Sequence, residues 1–260
     1  MPRLAANLSL MFTEVPFLER FAAAASAGFD GIEFLFPYDF RAGEIRARLD
    51  AHGLQQVLFN LSPGDWAAGE RGYGALAGHE DRFARALDVA LEYAAALRCP
   101  LLHVMSGLNA HGARRDVLER NLARAAPIAA SAGVTLLIEP INTSDMPDYF
   151  LPHTAEAAAI IDAVGAPNLG LQLDLYHRAR MEGDVSGAIA RYGPITRHYQ
   201  IAGPPDRGEP IPSELDVPAL FAQIDASGYA GWVGCEYRPR GRTEDGLGWR
   251  DSIGGPVAKA

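Results

Sequence analysis

One rhythm runs along the chain and limits what it can fold into. A stretch rich in Ala, Leu and Arg ends at a Gly or just before a Pro. A short β-like run follows, and its last residues turn polar. Val15–Ala27 stops at Gly28 before Gly31–Phe36, and Ala42–His52 stops at Gly53 before Leu54–Asn60. His79–Leu97 stops before Cys99-Pro100 and the run Leu101–Met105; Arg114–Ala132 stops at Gly133 before Val134–Glu139. The second half repeats the pattern. Thr154–Val164 precedes Asn168–Asp174, Asp184–Tyr192 precedes Ile195–Ile201, and Val217–Ser227 precedes Gly231–Tyr237. Gly and Pro at these joints are helix-to-strand signals. With the opening run Leu4–Leu10, the pattern predicts eight strands and at least seven helices.

Strict alternation implies a parallel sheet with helices outside it. Eight units in 260 residues suit a single closed (β/α)8 TIM barrel. The alternative is an open doubly wound sheet, which normally carries a Gly-rich phosphate loop after its first strand. The stretch Asn7–Phe12 contains no glycine. No break in composition marks a linker, so residues 1–250 are expected to form one barrel domain. Residues 251–260, with Gly254, Gly255 and Pro256, read as a disordered tail.

Composition then narrows the function. Hydrophobic residues make up 48%, enough for a large core, and 21% charged residues do not describe a disordered tail. A net charge of −9 argues against nucleic acid and anionic membranes as partners. No run of about 18 apolar residues occurs, and Met1-Pro2-Arg3-Leu4 does not open a leader peptide. A cytoplasmic protein is expected. Cys99 and Cys235 are too few for a disulfide framework or a Cys-rich zinc module. Lys259 is the sole lysine among 23 basic residues, which disfavours Schiff-base chemistry.

In a barrel the chemistry belongs at the C-terminal ends of the strands. Those ends carry Glu33, Asn60, His103, Glu139, Asp174, Gln200 and Glu236. The last four stand out because apolar runs lead into Glu139, Asp174 and Glu236. Each alone has an ordinary structural reading: a carboxylate caps a helix or pairs with an arginine, and Gln200 enters a loop. Together, on four consecutive strands, they predict carboxylates converging on one barrel mouth. Buried carboxylates need a cation or donors. Two Glu, one Asp and an amide oxygen suit Mg²⁺ or Mn²⁺ better than Zn²⁺. A slip of one residue would turn every one of these side chains outward. By the same alternation Cys235 points away from the pore.

Loop residues supply a second layer. His177, three residues beyond Asp174, is expected in a loop and could touch a substrate oxygen or make a structural hydrogen bond. Arg207, in the loop Pro204–Pro210, could clamp a substrate carboxylate or pair with Asp206 or Glu209. Trp66 could wall or cover the site, and Glu70 and Arg71 could reach the ligand; otherwise this is a surface turn.

At these residues the chain resembles the hydroxypyruvate isomerase family of the xylose isomerase-like barrels. The resemblance runs through Ala5–Ser9, Gly31–Phe34 with Pro37-Tyr38, Gly64–Gly72, Ile138–Asn142 and Gly231–Tyr237. It implies a (β/α)8 fold and Glu139 and Glu236 as paired proton donor and acceptor. It also implies a divalent metal among Glu139, Asp174, Gln200 and Glu236. Trp66–Gly72 and Glu139–Asn142 resemble the hydroxypyruvate branch. Met1–Phe17, Gln200–Arg207, Arg238–Gly241 and Gly248-Trp249 resemble a 2-oxo-tetronate branch.

The activity expected is isomerisation of a small anionic hydroxy-oxo acid, first hydroxypyruvate to tartronate semialdehyde, alternatively 2-oxo-tetronate to its 3-oxo isomer. Self-association into a homo-oligomer stays open. Three rival readings make different demands on the sequence. A metal-dependent abasic-site endonuclease would want several zinc ions, many histidines and a basic groove; here seven histidines are scattered in an acidic chain. A sugar 3-epimerase of this superfamily would place His where Gln200 stands. A silent sugar-acid binding protein would bind ligand without turnover.

Overall fold

The computed structural model describes residues 2–211 and 215–253. Eight strands close in chain order: β1 (Arg3–Asn7), β2 (Gly31–Glu33), β3 (Gln55–Asn60), β4 (Leu101–His103), β5 (Thr135–Ile138), β6 (Leu169–Asp174), β7 (Thr196–Ile201) and β8 (Trp232–Cys235). Every pairing is parallel, and β8 returns to β1 with Ala5 opposite Gly234. The expected barrel is therefore the observed one.

Eight α-helices lie between the strands: α1 (Arg20–Ser26), α2 (Ala42–His52), α3 (Glu80–Leu97), α4 (Arg115–Ser131), α5 (Thr154–Val164), α6 (Leu175–Met181), α7 (Val185–Tyr192) and α8 (Val217–Ala226). The helix read from Val15 starts later. Pro16, in extended backbone, leads into a 3-10 turn at Phe17–Glu19 before α1. The first strand ends at Asn7, not Leu10, because Asn7 folds the chain over: its carbonyl accepts from Met11 N at 2.8 Å. Helix α2 stops at Gly53, whose φ of 66° suits a residue without Cβ.

Helix α3 shows how the shell packs. Phe83, Ala86, Leu87, Ala90, Ala94 and Leu97 recur at helical spacing and are all buried. The same logic holds on the strands. Leu171 and Leu173, like Tyr199 and Ile201, join the core between barrel and helices. Gln172 and Asp174, like His198 and Gln200, take the other parity and are buried too. An apolar cluster of Ala5, Val57, Leu137 and Trp232 is separate from that outer core. Cys235 packs in the outer core, and burial pushes the Cys99 thiol up to about 12.

The barrel does not stop at residue 250. Asp251–Ile253 complete a 3-10 segment, Glu244–Ile253, whose Arg250 donates to the Ala27 carbonyl at 3.1 Å. The rest of the expected tail, and Lys259, lie outside the described residues. No helix among the described residues is long and apolar enough to cross a membrane.

Two glycines give opposite expectations. A Cβ on Gly31 would sit 2.6 Å from the Trp232 ring, whereas a Cβ on exposed Gly43 in α2 meets nothing within 4 Å. Gly31→Ala should cost about 1–3 kcal/mol by overpacking. Gly43→Ala should gain about 0.5–1 kcal/mol from helix propensity. Urea midpoints of the two variants check this; shifts of the same sign would contradict the packing described.

Candidate active site

Glu139 follows β5, Asp174 ends β6, Gln200 lies in β7 and Glu236 follows β8. All four are buried. Glu139 and Glu236 line one cavity of about 150 Å³, together with Trp66, His103, His177, Arg207 and other residues. The register expected from the sequence is thus the register observed at these positions.

Each carboxylate has at least one tethered oxygen, and Glu236 has two. Glu139 Oε2 accepts from Gln172 Nε2 at 2.9 Å, while Oε1 lies 3.8 Å from His177 Nε2. Asp174 Oδ1 caps α6 by accepting from Tyr176 N at 2.8 Å. Asp174 Oδ2 is buried with no hydrogen-bond partner. Glu236 Oε2 accepts from Gln200 Nε2, and Oε1 accepts from Arg207 Nη2 at 2.5 Å. That same Nη2 stands 3.7 Å from Asp174 Oδ2.

Burial dominates the electrostatics. It raises the Glu139 carboxyl well above its ordinary value, with Glu236 and Asp174 adding repulsion. It raises Asp174 to about 6 against the pull of Arg207. It raises Glu236 to about 8, again opposed first by Arg207. These shifts share one origin, since an anion out of water is costly unless compensated. Arg207 is the cation that compensates here. An additional hard cation fits: Asp174 Oδ2 is an acceptor lacking a donor, and a Glu139 oxygen lies within 4.8 Å of an Asp174 carboxylate oxygen.

The placement of His177 corrects the loop expectation. It sits on α6, a helix that the Asp174 cap starts immediately after the strand. Its ring atom lies within 4.8 Å of oxygens from Glu139 and Asp174, a spacing that could hold a metal. The hydrogen bonds point elsewhere. Asn142 Oδ1 accepts from the backbone N–H groups of Ser144 and Asp145, so its amide nitrogen faces His177 Nδ1 at 2.6 Å. His177 Nδ1 is therefore the acceptor. Burial also keeps the ring neutral, with its pKa well below the ordinary value. The proton belongs on Nε2, which makes that atom a donor and not a metal ligand.

Gln200 also turns its other end. Its nitrogen faces Glu33 and Glu236, and its oxygen accepts from Gln172 Nε2 at 2.7 Å. The amide oxygen expected at a metal is thus held by a neighbouring strand. Arg207 pairs with Glu236, not with its loop neighbours Asp206 and Glu209, which Arg240 holds.

The loop 64–72 divides. Trp66 lines the cavity, packs against Phe36 at 5.6 Å between ring centroids, and stays 41% exposed. Arg71 lies over the Trp66 ring at 3.7 Å, outside the cavity lining. Glu70 is also outside it. Its oxygens accept from Arg82, from Tyr73 Oη at 2.7 Å and from Asp65 N at 2.6 Å. The Arg82 fork leads the effects that hold its carboxyl down at about 2. Glu70 braces the loop, which corrects the expectation that it reaches a ligand.

Four polar cavity residues were not singled out from the sequence as site residues: Asn60, His103, Asp145 and Arg238. His103 ends β4, and burial pulls its pKa down to about 3, so it is neutral. Its position at a strand end was the available signal. Asp145 and Arg238 lie on irregular loops, where no period announces direction.

Comparison with known proteins follows this geometry. Residues 21–253 match the family model described as xylose isomerase-like TIM barrel. The chain is 55% identical to a 2-oxo-tetronate isomerase of Cupriavidus necator, covering 96% of this chain and 97% of that one. It is 42% identical to the hydroxypyruvate isomerase of Escherichia coli, covering 96% and 99%. A solved Brucella melitensis structure described as an AP endonuclease of family 2 superposes with a TM-score of 0.94 at 52% identity, covering 96% and 98%. The chain belongs to the hydroxypyruvate isomerase family of the xylose isomerase-like TIM barrels.

Proposed function

We propose that the chain is an isomerase of small hydroxy-oxo acids that moves a proton between C3 and C2, with 2-oxo-tetronate as substrate and hydroxypyruvate as the second choice. The observation that carries this is the pair Glu139 and Glu236, two buried carboxylates on one small cavity that Arg207 and His177 also line. The 55% identity to the C. necator isomerase supports the four-carbon acid. The cavity is small, about 150 Å³, which suits a short acid.

Both candidate acids need the same chemistry. One glutamate takes the C3 proton, and the C–H electron pair becomes the double bond of an enediolate. The other glutamate returns a proton to C2, while the O3 proton passes to O2. No oxidant enters and none leaves. Carboxyls raised toward neutrality are matched to giving and taking protons there. The His177 Nε2–H can donate to a substrate oxygen. Arg207 and Arg238 offer guanidinium groups to the substrate carboxylate. A Mg²⁺ or Mn²⁺ ion held by Glu139, Asp174 and Glu236 would supply Lewis-acid polarisation of the substrate oxygens. Gln200 joins that set only if its amide turns over.

The description of the Brucella structure raises nuclease chemistry as a second reading. Among the described residues one cluster of three metal donors occurs, which is short of a multi-zinc site. A gel shift on abasic DNA at low salt should show no specific complex.

Two measurements test the isomerase. Proton NMR should show wild-type turnover of 2-oxo-tetronate, and Glu139→Gln and Glu236→Gln should each lose about 10²–10⁴-fold in kcat. Full activity in either variant would end the two-glutamate reading. The second concerns pH. Carboxyls raised in the fold hold protons more tightly than in the unfolded chain. Their stabilising protonation is complete below the ordinary values of 3.8 and 4.5 and is lost as pH climbs through about 6 and about 8. Chelated protein should therefore lose Tm across that window. Mn²⁺ should restore it, more at pH 8 than at pH 5; an absent Mn²⁺ shift would remove the metal, and an equal one would remove its competition with protons.

A further inference from the structure

Beneath the two glutamates lies a buried polar layer that the proposed chemistry does not use. Glu33, at the end of β2, accepts from Asn7 Nδ2 at 3.0 Å and from Gln200 Nε2 at 2.8 Å, both on Oε1. Its Oε2 meets His198 Nε2 at 2.7 Å. Gln200 Nε2 reaches on to Glu236, and Gln200 Oε1 accepts from Gln172 Nε2, which also donates to Glu139. One unbroken chain of hydrogen bonds thus joins Glu33 to both glutamates.

The polarity of that chain has one consistent assignment. Asn7 Oδ1 accepts from Ser9 N, so the Asn7 amide nitrogen must face Glu33. His198 Nδ1 is buried without a partner. A bare ring lone pair there costs less than a stranded N–H, so the proton sits on Nε2 and points at Glu33. Glu33 is then a carboxylate receiving three donors and needing no acceptor. Gln200 must offer its nitrogen to it, which leaves the Gln200 oxygen for Gln172. Gln172 in turn offers nitrogen to Glu139. Glu33 therefore decides which way both glutamines point. Gly234 makes room for it: a Cβ there would stand 2.4 Å from the Glu33 carboxylate oxygens.

We propose that Glu33 is a positioning residue that acts through Gln200 and Gln172 to tether Oε2 of each site glutamate and so set where its Oε1 points, toward His177 for Glu139 and onto Arg207 for Glu236. Resting on the isomerase reading, this assigns Gln172 a matching role as the link to Glu139. A merely structural layer would support folding equally well with the glutamates turned otherwise. The tethers instead fix Glu139 Oε2 and Glu236 Oε2 and direct each Oε1 toward His177 and Arg207.

The test uses Gln172→Met, Glu33→Gln and the double variant of the full chain. Each single variant should lose about 10–100-fold in kcat, the usual effect of groups that orient a site, with KM nearly unchanged. The double variant should lose about as much as the worse single variant, because both act along one chain. In a crystal structure of Gln172→Met, the Glu139 carboxylate should leave its present plane. Wild-type kcat in both single variants, losses that multiply in the double, or an unturned Glu139 carboxylate would each overturn the proposal. Should Glu33→Gln not fold, kcat and the Glu139 orientation in Gln172→Met decide it. Wild-type protein inactive on both acids would instead refute the isomerase reading, and the Glu139 orientation would still judge the positioning role.

Discussion

Three carboxylates out of water at one barrel mouth are the constraint around which the rest is arranged. Glu139, Asp174 and Glu236 are each at most 6% exposed. Uncompensated, such a cluster would cost several kcal/mol per anion and unfold a marginal domain. The protein answers with one mostly buried guanidinium, Arg207, and with a donor for one oxygen of each acid. The compensation is partial, since Asp174 Oδ2 has no donor and all three carboxyls are held above their ordinary range. A site left short of positive charge is one prepared for a cation and an acid–base task.

The barrel makes this arrangement rigid. Parallel strands place Asp174 opposite Gln200, and Gln200 opposite Gly234, so Gln200 is set by a neighbour on each side, while Glu139 and Glu236 directly follow their strands. Donors come from the strand layer just below, in which Glu33 receives three donors of its own. Loops contribute differently. Glu70 braces its loop against Arg82, which holds Trp66 at the cavity rim, while Asn142 sets the tautomer of His177. Direction is thus imposed on the site from both below and above.

Much of this was legible in the sequence, for local reasons. Helices α2 and α5 have the expected bounds because Gly53 and Gly165 end them with positive φ. The carboxylate positions followed from apolar runs that each lead into an acid at the C-terminal end of a strand. Where reading failed, the cause was competition or distance. Asp174 is both strand end and helix cap, and reading it only as the first hid α6 and put His177 in a loop. Glu70 was sent to the ligand because its partner Arg82 lies on the following helix, twelve residues away. The Gln200 amide is oriented by Gln172 and Glu33 on other strands, which no local pattern encodes. Gln172 and His198 could have been found, since each sits two residues before a residue already suspected.

On the proposed reading, burial keeps the carboxylates at this mouth partly protonated until a divalent ion takes the proton's place. Titration calorimetry of Mn²⁺ into chelated protein near pH 7, repeated in buffers of different ionisation heat, counts protons released on binding. On the order of one proton per Mn²⁺ is expected, with release and binding both lost in Asp174→Asn. Binding without proton release, or undiminished binding in that variant, would contradict it.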